Sequence, residues 1–174
     1  MTAQEQETIF RRWLEAHLGL MLKVVRACVA DPSDQDDLFQ EVLLQIWLSI
    51  PVFRGESKET TWIYRVAFNT ALAWRRGEQR RRVGHEAFLK LDVSPRVQPG
   101  HLDALPEQEM VNQLYAAIRQ LPKMDASLAL MYLDGLSYPE MAEVLGISEN
   151  YLGVKLTRIR KQLAVQLKGV CDEL

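Results

Sequence analysis

Apolar residues in this 174-residue chain recur every three or four positions along almost its whole length, and nowhere do they alternate with period two. A 3.6-residue repeat gathers such positions on one side of an α-helix, whereas a half-buried strand needs strict alternation. The pattern predicts an all-α chain. From Gln6 to Val29 the stripe Ile9, Trp13, His17, Leu20, Val24 and Cys28 marks one face of a long helix. Pro32 cannot continue its hydrogen-bond ladder. A second helix follows, with Leu38, Val42 and Ile46 beside Phe39, Leu43 and Trp47 as its buried side. Asp34, Asp36 and Asp37 stand at its start, where the helix dipole is positive.

"FRGESKETT" reads as a polar loop broken at Gly55, with Thr60 or Thr61 as the cap of a third helix over about Thr61–Arg81. On that helix Ile63, Ala67, Thr70, Ala71 and Trp74 share a core side, while Trp62, Arg65, Asn69, Ala73 and Arg76 form a separate stripe. An aromatic face, an amide and guanidinium groups suit stacking on unpaired bases and gripping their backbone. Taken singly, these are an ordinary core tryptophan and ordinary solvated arginines. Yet from Arg54 to Arg82 eight basic residues stand against three acidic ones, in a chain whose formal net charge is −2. Whole-chain charge gives no argument for nucleic acid; only this local concentration does. Ahead of it the sign reverses. Asp31–Glu41 holds five acids and no base, with Gln40, Leu44 and Leu48 also outside the core stripe, a face that repels DNA and suits a protein partner.

Gly84, Pro95, Pro99, Gly100 and Pro106 interrupt the stretch from Val83 to Pro106, which describes a linker. Two small helical domains, 1–82 and 107–174, are therefore expected on either side of a flexible linker, 83–106. A free linker and one docked through Phe88, Leu89 and Leu91 both fit this composition.

The second half predicts a helix over about Glu107–Gln120 that stops at Leu121-Pro122, and another over about Asp125–Leu133 that stops at Gly135. In "SYPEMAEVLGISENYLGVKLTRIRKQL", Ser137 and Glu140 form a capping box, and Pro139 sits harmlessly in the first turn. Gly146 ends that helix and Ser148 caps the next. Helix, short Gly turn, helix is the helix-turn-helix plan, with Ala142 small at the crossing and Met141, Leu145, Ile147, Leu152 and Leu156 as shared core. A simple helical hairpin has the same spacing. The last helix turns Leu152, Leu156, Ile159, Leu163 and Leu167 inward, leaving Asn150, Tyr151, Val154, Lys155, Thr157, Arg158 and Lys161 outward. From Lys155 to Lys168 there are five basic residues and no acid. Such a face attracts phosphates, and it also complements its own helix dipole. Side chains near that helix's N-terminus, Glu149, Asn150 and Tyr151, are the ones placed to reach base edges in a major groove.

Other classes find little support. Cys28 and Cys171 are far apart with no CxxC, and His17, His85 and His101 are scattered, so no zinc site, catalytic set or cofactor is expected. No signal-peptide pattern opens the chain, and charge interrupts every apolar run before roughly 18 residues, which argues for a reducing cytoplasm and against membrane insertion.

Three segments, "DQDDLFQEVLLQIW", "FRGESKETTWIYRVAFNTALAWRR" and "LSYPEMAEVLGISENYLGVKLTRIRKQL", in this order and spacing, closely resemble a bacterial sigma factor of the ECF (extracytoplasmic function) group. That group belongs to the sigma-70 family and keeps only its regions 2 and 4. The resemblance covers nearly everything outside the linker and the termini. It implies a non-enzymatic transcription initiation factor that binds core RNA polymerase through the β′ and β subunits and directs it to promoters. It also implies single- and double-stranded promoter DNA as ligand and an anti-sigma factor as regulatory partner. The competing reading is a helix-turn-helix regulator that never joins polymerase.

Residue by residue, "DLFQE" matches the family surface for the β′ coiled coil, which implies Asp37, Gln40 and Glu41, with Leu44 beside them, as polymerase contacts. "FRGESKETTW" matches the loop and helix start that capture a flipped base of the −10 element. The resemblance thereby implies Arg54, Trp62, Arg65 and Asn69 at unpaired DNA, and Arg75, Arg76 and Arg80 on the upstream duplex. The last helix matches the reader of the −35 element, implying Ser148, Asn150, Tyr151, Val154, Lys155, Arg158 and Lys161. Gly153 and Tyr151 depart from the family, which carries Lys or Arg and a small or hydroxyl residue there. Gly153 costs the helix roughly 1 kcal/mol relative to Ala, and is expected to let the backbone approach DNA closely.

Overall fold

The computed structural model describes residues 1–74 and 106–171. Their regular structure is helical: α1 (Ala3–Cys28), α2 (Pro32–Ser49), a 3-10 turn (Ile50–Val52), α3 (Glu59–Trp74), α4 (Pro106–Gln120), α5 (Lys123–Leu133), α6 (Tyr138–Leu145) and α7 (Glu149–Cys171). No strand occurs among the described residues, as the periodicity requires. Two compact units divide the helices, the first carrying α1 to Val25, α2 and α3, the second Arg26–Ala30 and α4 to α7. Apart from Pro106, which opens α4, the expected linker 83–106 lies outside the described residues, and so do Phe88, Leu89 and Leu91.

In the first unit α2 is the central helix. Pro32 takes its first position, where a missing N–H does no harm, and the Asp31 carboxylate accepts from the backbone N–H of Ser33 at 2.9 Å and of Asp34 at 3.2 Å. Leu38, Phe39, Val42, Leu43, Leu44, Ile46 and Trp47 are all buried. Leu44 thus departs from the sequence expectation: with α1 on one flank and α3 on another, the apolar sector widens past the single stripe that a wheel suggests, and Leu44 is 2% exposed. Leu48, at 37%, remains outside.

The buried stripe of α1 includes Phe10, Trp13, Met21 and Val24; Phe10 and Met21 lie one step beyond Ile9 and Leu20 of the expected line, which are half-buried. Large rings remove the most apolar area from water, so they take the inner positions. Phe10 meets Trp47 edge-on with centroids 5.5 Å apart, and the Gln6 amide donates to the Trp47 carbonyl at 2.8 Å. On α3, Ile63, Ala67, Thr70 and Ala71 are buried as expected, and Tyr64 and Phe68, stacked at 5.7 Å, join them. Trp74 is half-buried. The helix begins at Glu59, with Trp62 N–H bonded to the Lys58 carbonyl at 3.0 Å. Thr61 is therefore inside the first turn and fully buried, and neither it nor Thr60 caps the helix.

The second unit is built around α5, where every residue from Ala126 to Met131 is buried. Such a run leaves no solvent face, so α5 shows no amphipathic pattern to read. The buried Ser127 hydroxyl donates back to the Lys123 carbonyl at 3.0 Å. Ile118 of α4, Met141 and Val144 of α6, and Leu152, Leu156 and Ile159 of α7 close the core.

Candidate nucleic-acid interface

Both ends of the "RGESK" loop are fixed. Phe53 precedes it and lies between two tryptophans, with centroids 5.2 Å from Trp13 and 5.5 Å from Trp62. Glu59 follows it, and its carboxylate pairs with Arg12 and lies 3.8 Å from His17 Nε2, both on α1. Gly55 makes the turn between them with φ +73, a conformation that a side chain would strain. Arg54 and Lys58 are held out into solvent. Phe53, Glu59 and Arg12 were not among the sequence-derived site residues. The available signal was an aromatic residue at the border of an otherwise polar loop.

Beyond the loop, Trp62, Arg65 and Asn69 fall on one face of α3. Trp62 is half-buried, and its indole N–H donates to the Ser49 hydroxyl at 3.1 Å. It is anchored rather than free, with the Arg65 guanidinium 5.9 Å from its ring centroid. Asn69 is exposed. Arg75, Arg76 and Arg80 lie outside the described residues. On α2, Asp37 and Gln40 are exposed, and Glu41 is half-buried and accepts from the Gln45 amide at 2.9 Å.

In the second unit the Glu140 carboxylate accepts from the Ser137 backbone N–H at 2.8 Å and from its hydroxyl at 2.6 Å, which fixes the start of α6. Gly146 ends α6 in the left-handed region, φ 66, and Ile147 N–H bonds back to the Ala142 carbonyl at 3.2 Å. The chain then turns directly into α7. Ser148 is exposed, and its hydroxyl lies 3.4 Å from the Tyr151 N–H. Asn150, Tyr151, Val154, Arg158 and Lys161 are exposed on α7 as expected.

Lys155 is not a free cation. It is half-buried and bridges to Asp125 of α5 at 2.5 Å, and the hydrogen bond to that carboxylate holds its ammonium above the ordinary lysine pKa. Its helical position looks outward, but a long side chain can fold back along the helix to a half-buried acid that only the tertiary structure supplies. Gly153 is half-buried on the side of α6, where a Cβ would meet Tyr138 Cε2 at 3.7 Å, an ordinary van der Waals contact.

Among the described residues, no three His, Cys, Asp or Glu side chains come together in a metal-binding group, and no helix is long and apolar enough to cross a membrane. What these surfaces offer is recognition by charge, amides and exposed rings.

Two family models match, Sigma-70 region 2 over residues 13–81 and Sigma-70, region 4 over residues 112–163. The chain is 32% identical over 139 residues to the ECF RNA polymerase sigma-E factor of Haemophilus influenzae, covering 75% of this chain and 73% of that one. It is 30% identical over 151 residues to the ECF RNA polymerase sigma factor SigX of Bacillus subtilis, covering 84% and 77%. Among solved structures, the sigma factor RpoE in complex with the anti-sigma factor NepR from Bartonella quintana matches with a TM-score of 0.67 at 19% identity, over 91% of this chain and 96% of that one. CnrH in complex with the cytosolic domain of CnrY matches at 0.66 and 20%, over 96% and 92%. At those identities the likeness is one of fold.

Proposed function

The chain belongs to the ECF group of the sigma-70 family, and from that premise we propose that it is a transcription initiation factor that binds core RNA polymerase and directs it to promoters. One observation carries the reading: the region 2 match falls on the first compact unit, and the region 4 match falls on the second, where α6 and α7 form the helix-turn-helix. Residues 1–82 are the module for polymerase and the −10 element, 83–106 the linker, and 107–174 the module for the −35 element.

The geometry supports a division of labour. Asp37, Gln40 and Glu41 give α2 an acidic outer edge that repels phosphate and suits the basic surface of a protein partner. The anchored loop presents Arg54, and α3 presents Trp62, Arg65 and Asn69, to bases that have left the stack. Stacking on an aromatic ring contributes about 1–3 kcal/mol per base, against a DNA stacking loss of about 1.4 kcal/mol per step. Capture of a few bases therefore offsets local opening without nucleotide hydrolysis. Arg75, Arg76 and Arg80, which lie outside the described residues, are assigned to the upstream duplex by the family resemblance.

Ser148, just before α7, and Asn150, Tyr151, Val154, Arg158 and Lys161 on it face the −35 duplex, with cations on phosphate and the N-terminal side chains on base edges. The factor works by binding alone, in the cytoplasm, and an anti-sigma factor is its regulatory partner. Run-off transcription from a mapped promoter with purified core polymerase tests the reading. A transcript that requires this chain is the expected result. No transcript above the core-only background overturns it, and retained promoter binding in that case identifies a helix-turn-helix regulator.

A further inference from the structure

The outward face of α7 has an apolar centre. At about 100° per residue, Val154 falls between Asn150, Thr157 and Lys161 on one side and Arg158 and Tyr151 on the other. Val154 is 60% exposed and Tyr151 50%, while the core contacts of α7 run through Leu152, Leu156 and Ile159 on the opposite side. Val154 therefore lies outside the core of its own unit. A β-branched residue is also a mediocre helix former, so local propensity does not favour it there.

Tyr151 is held in place. Lys155 Nζ lies 5.6 Å from its ring centroid, and Asp125 fixes that ammonium from α5. The cation that would have reached past the apolar pair to a phosphate is drawn back to brace it. The other outward neighbours, Asn150, Thr157, Arg158 and Lys161, carry no negative charge, which fits an anionic ligand and not a basic protein surface.

In a major groove every base edge presents hydrogen-bonding groups, and the one apolar feature is the C5-methyl of thymine. An isopropyl group set against the polar edge of a G·C pair strips water from donors and acceptors without pairing them, which is unfavourable. Set against a thymine methyl, it buries apolar surface on both sides. We propose that Val154 and Tyr151 form an apolar base-reading patch that selects thymine within the −35 element through its C5-methyl group. The proposal rests on the assignment of α7 to the −35 duplex.

Holoenzyme assembled from core polymerase and the full chain would first enrich promoter duplexes from a pool randomised across the −35 region. Each thymine of the enriched element would then be replaced singly by deoxyuridine, which removes only the methyl group. At one position or more, the wild-type holoenzyme loses about fourfold in affinity, while Val154→Ala loses nothing further there and enriches duplexes with relaxed preference at that pair. If sequences are enriched but deoxyuridine binds like thymidine at every position, the patch does not read the methyl and is left to a protein partner; the promoter reading stands. If the loss persists unchanged in both Val154→Ala and Tyr151→Ala, another residue reads it and the proposal fails. No enrichment at all would overturn the −35 assignment itself.

Discussion

The indole N–H of Trp62 donates to the Ser49 hydroxyl at 3.1 Å, tying the first turn of α3 to the last residue of α2. The Ser49 hydroxyl in turn donates to the Ile46 carbonyl at 2.8 Å. A ring held in this way keeps its orientation before any base arrives, so less freedom is lost on binding. Ser49→Ala should destabilise the protein by about 1 kcal/mol. Trp62→Ala should weaken binding of a single-stranded −10 oligonucleotide to the holoenzyme by about tenfold. Titration of a labelled oligonucleotide measures the second effect, and unchanged affinity would confine Trp62 to a structural role.

Lys155 and Arg158 stand near each other on α7, yet they should give opposite salt effects. Arg158 is exposed, and Arg158→Ala should weaken −35 duplex binding and make the slope of log affinity against log salt shallower by about 0.9. Asp125→Asn releases Lys155 toward the phosphates, so the slope should steepen by a similar amount. Lys155 has a raised pKa, so the bridge's contribution to stability is complete below the ordinary lysine value of 10.5 and fades as pH rises through the raised one. The stability gap between wild type and Asp125→Asn should accordingly narrow in strongly alkaline melts. Equal salt slopes for wild type and Asp125→Asn would mean that Lys155 already contacts DNA.

On α2, burial separates two outcomes that the sequence placed together. Changing Gln40 and Glu41 to Lys reverses the charge of an outer edge, and should weaken association with core polymerase while shifting stability by less than about 0.5 kcal/mol. Leu44→Ala instead opens a cavity at a residue that is 2% exposed, and should destabilise the first unit by about 2–5 kcal/mol. Co-purification with core polymerase and thermal melting of each variant read the two effects. A Leu44→Ala variant of normal stability that fails to bind polymerase would restore Leu44 to the interface.

Gly153 lies in α7 with ordinary contact distance to spare beside Tyr138. Gly153→Ala should therefore gain up to about 1 kcal/mol from helix propensity, a rise in the Tm of the second unit of up to roughly 4–8 °C by calorimetry, with −35 affinity unchanged. A fall in Tm would show that the α6–α7 crossing tolerates no added methyl. Loss of DNA affinity alone would show that the backbone at Gly153 approaches the groove.

The repeat of apolar residues, the caps and the breakers determined the all-α class, the run of helices and the helix-turn-helix. Those features act within a few residues of one another: Asp31 on its own helix start, Glu140 on Ser137, and Gly146 in a backbone conformation that suits glycine. The charge reversal between Asp31–Glu41 and Arg54–Arg82 was likewise legible, because like charges near in sequence need no fold to add up.

What only the tertiary structure decided is which of the legible residues are available. Leu44 passed from surface to core because two helices flank α2, and Lys155 passed from an outward cation to an ion-paired one because α5 brings Asp125 beside it. Trp62 became an anchored platform once Ser49 and Phe53 met it, 13 and nine residues away in sequence. A helical wheel specifies directions around one axis. Exposure and free charge depend on what stands opposite, and partners distant in sequence are brought there only by the packing of one helix on another.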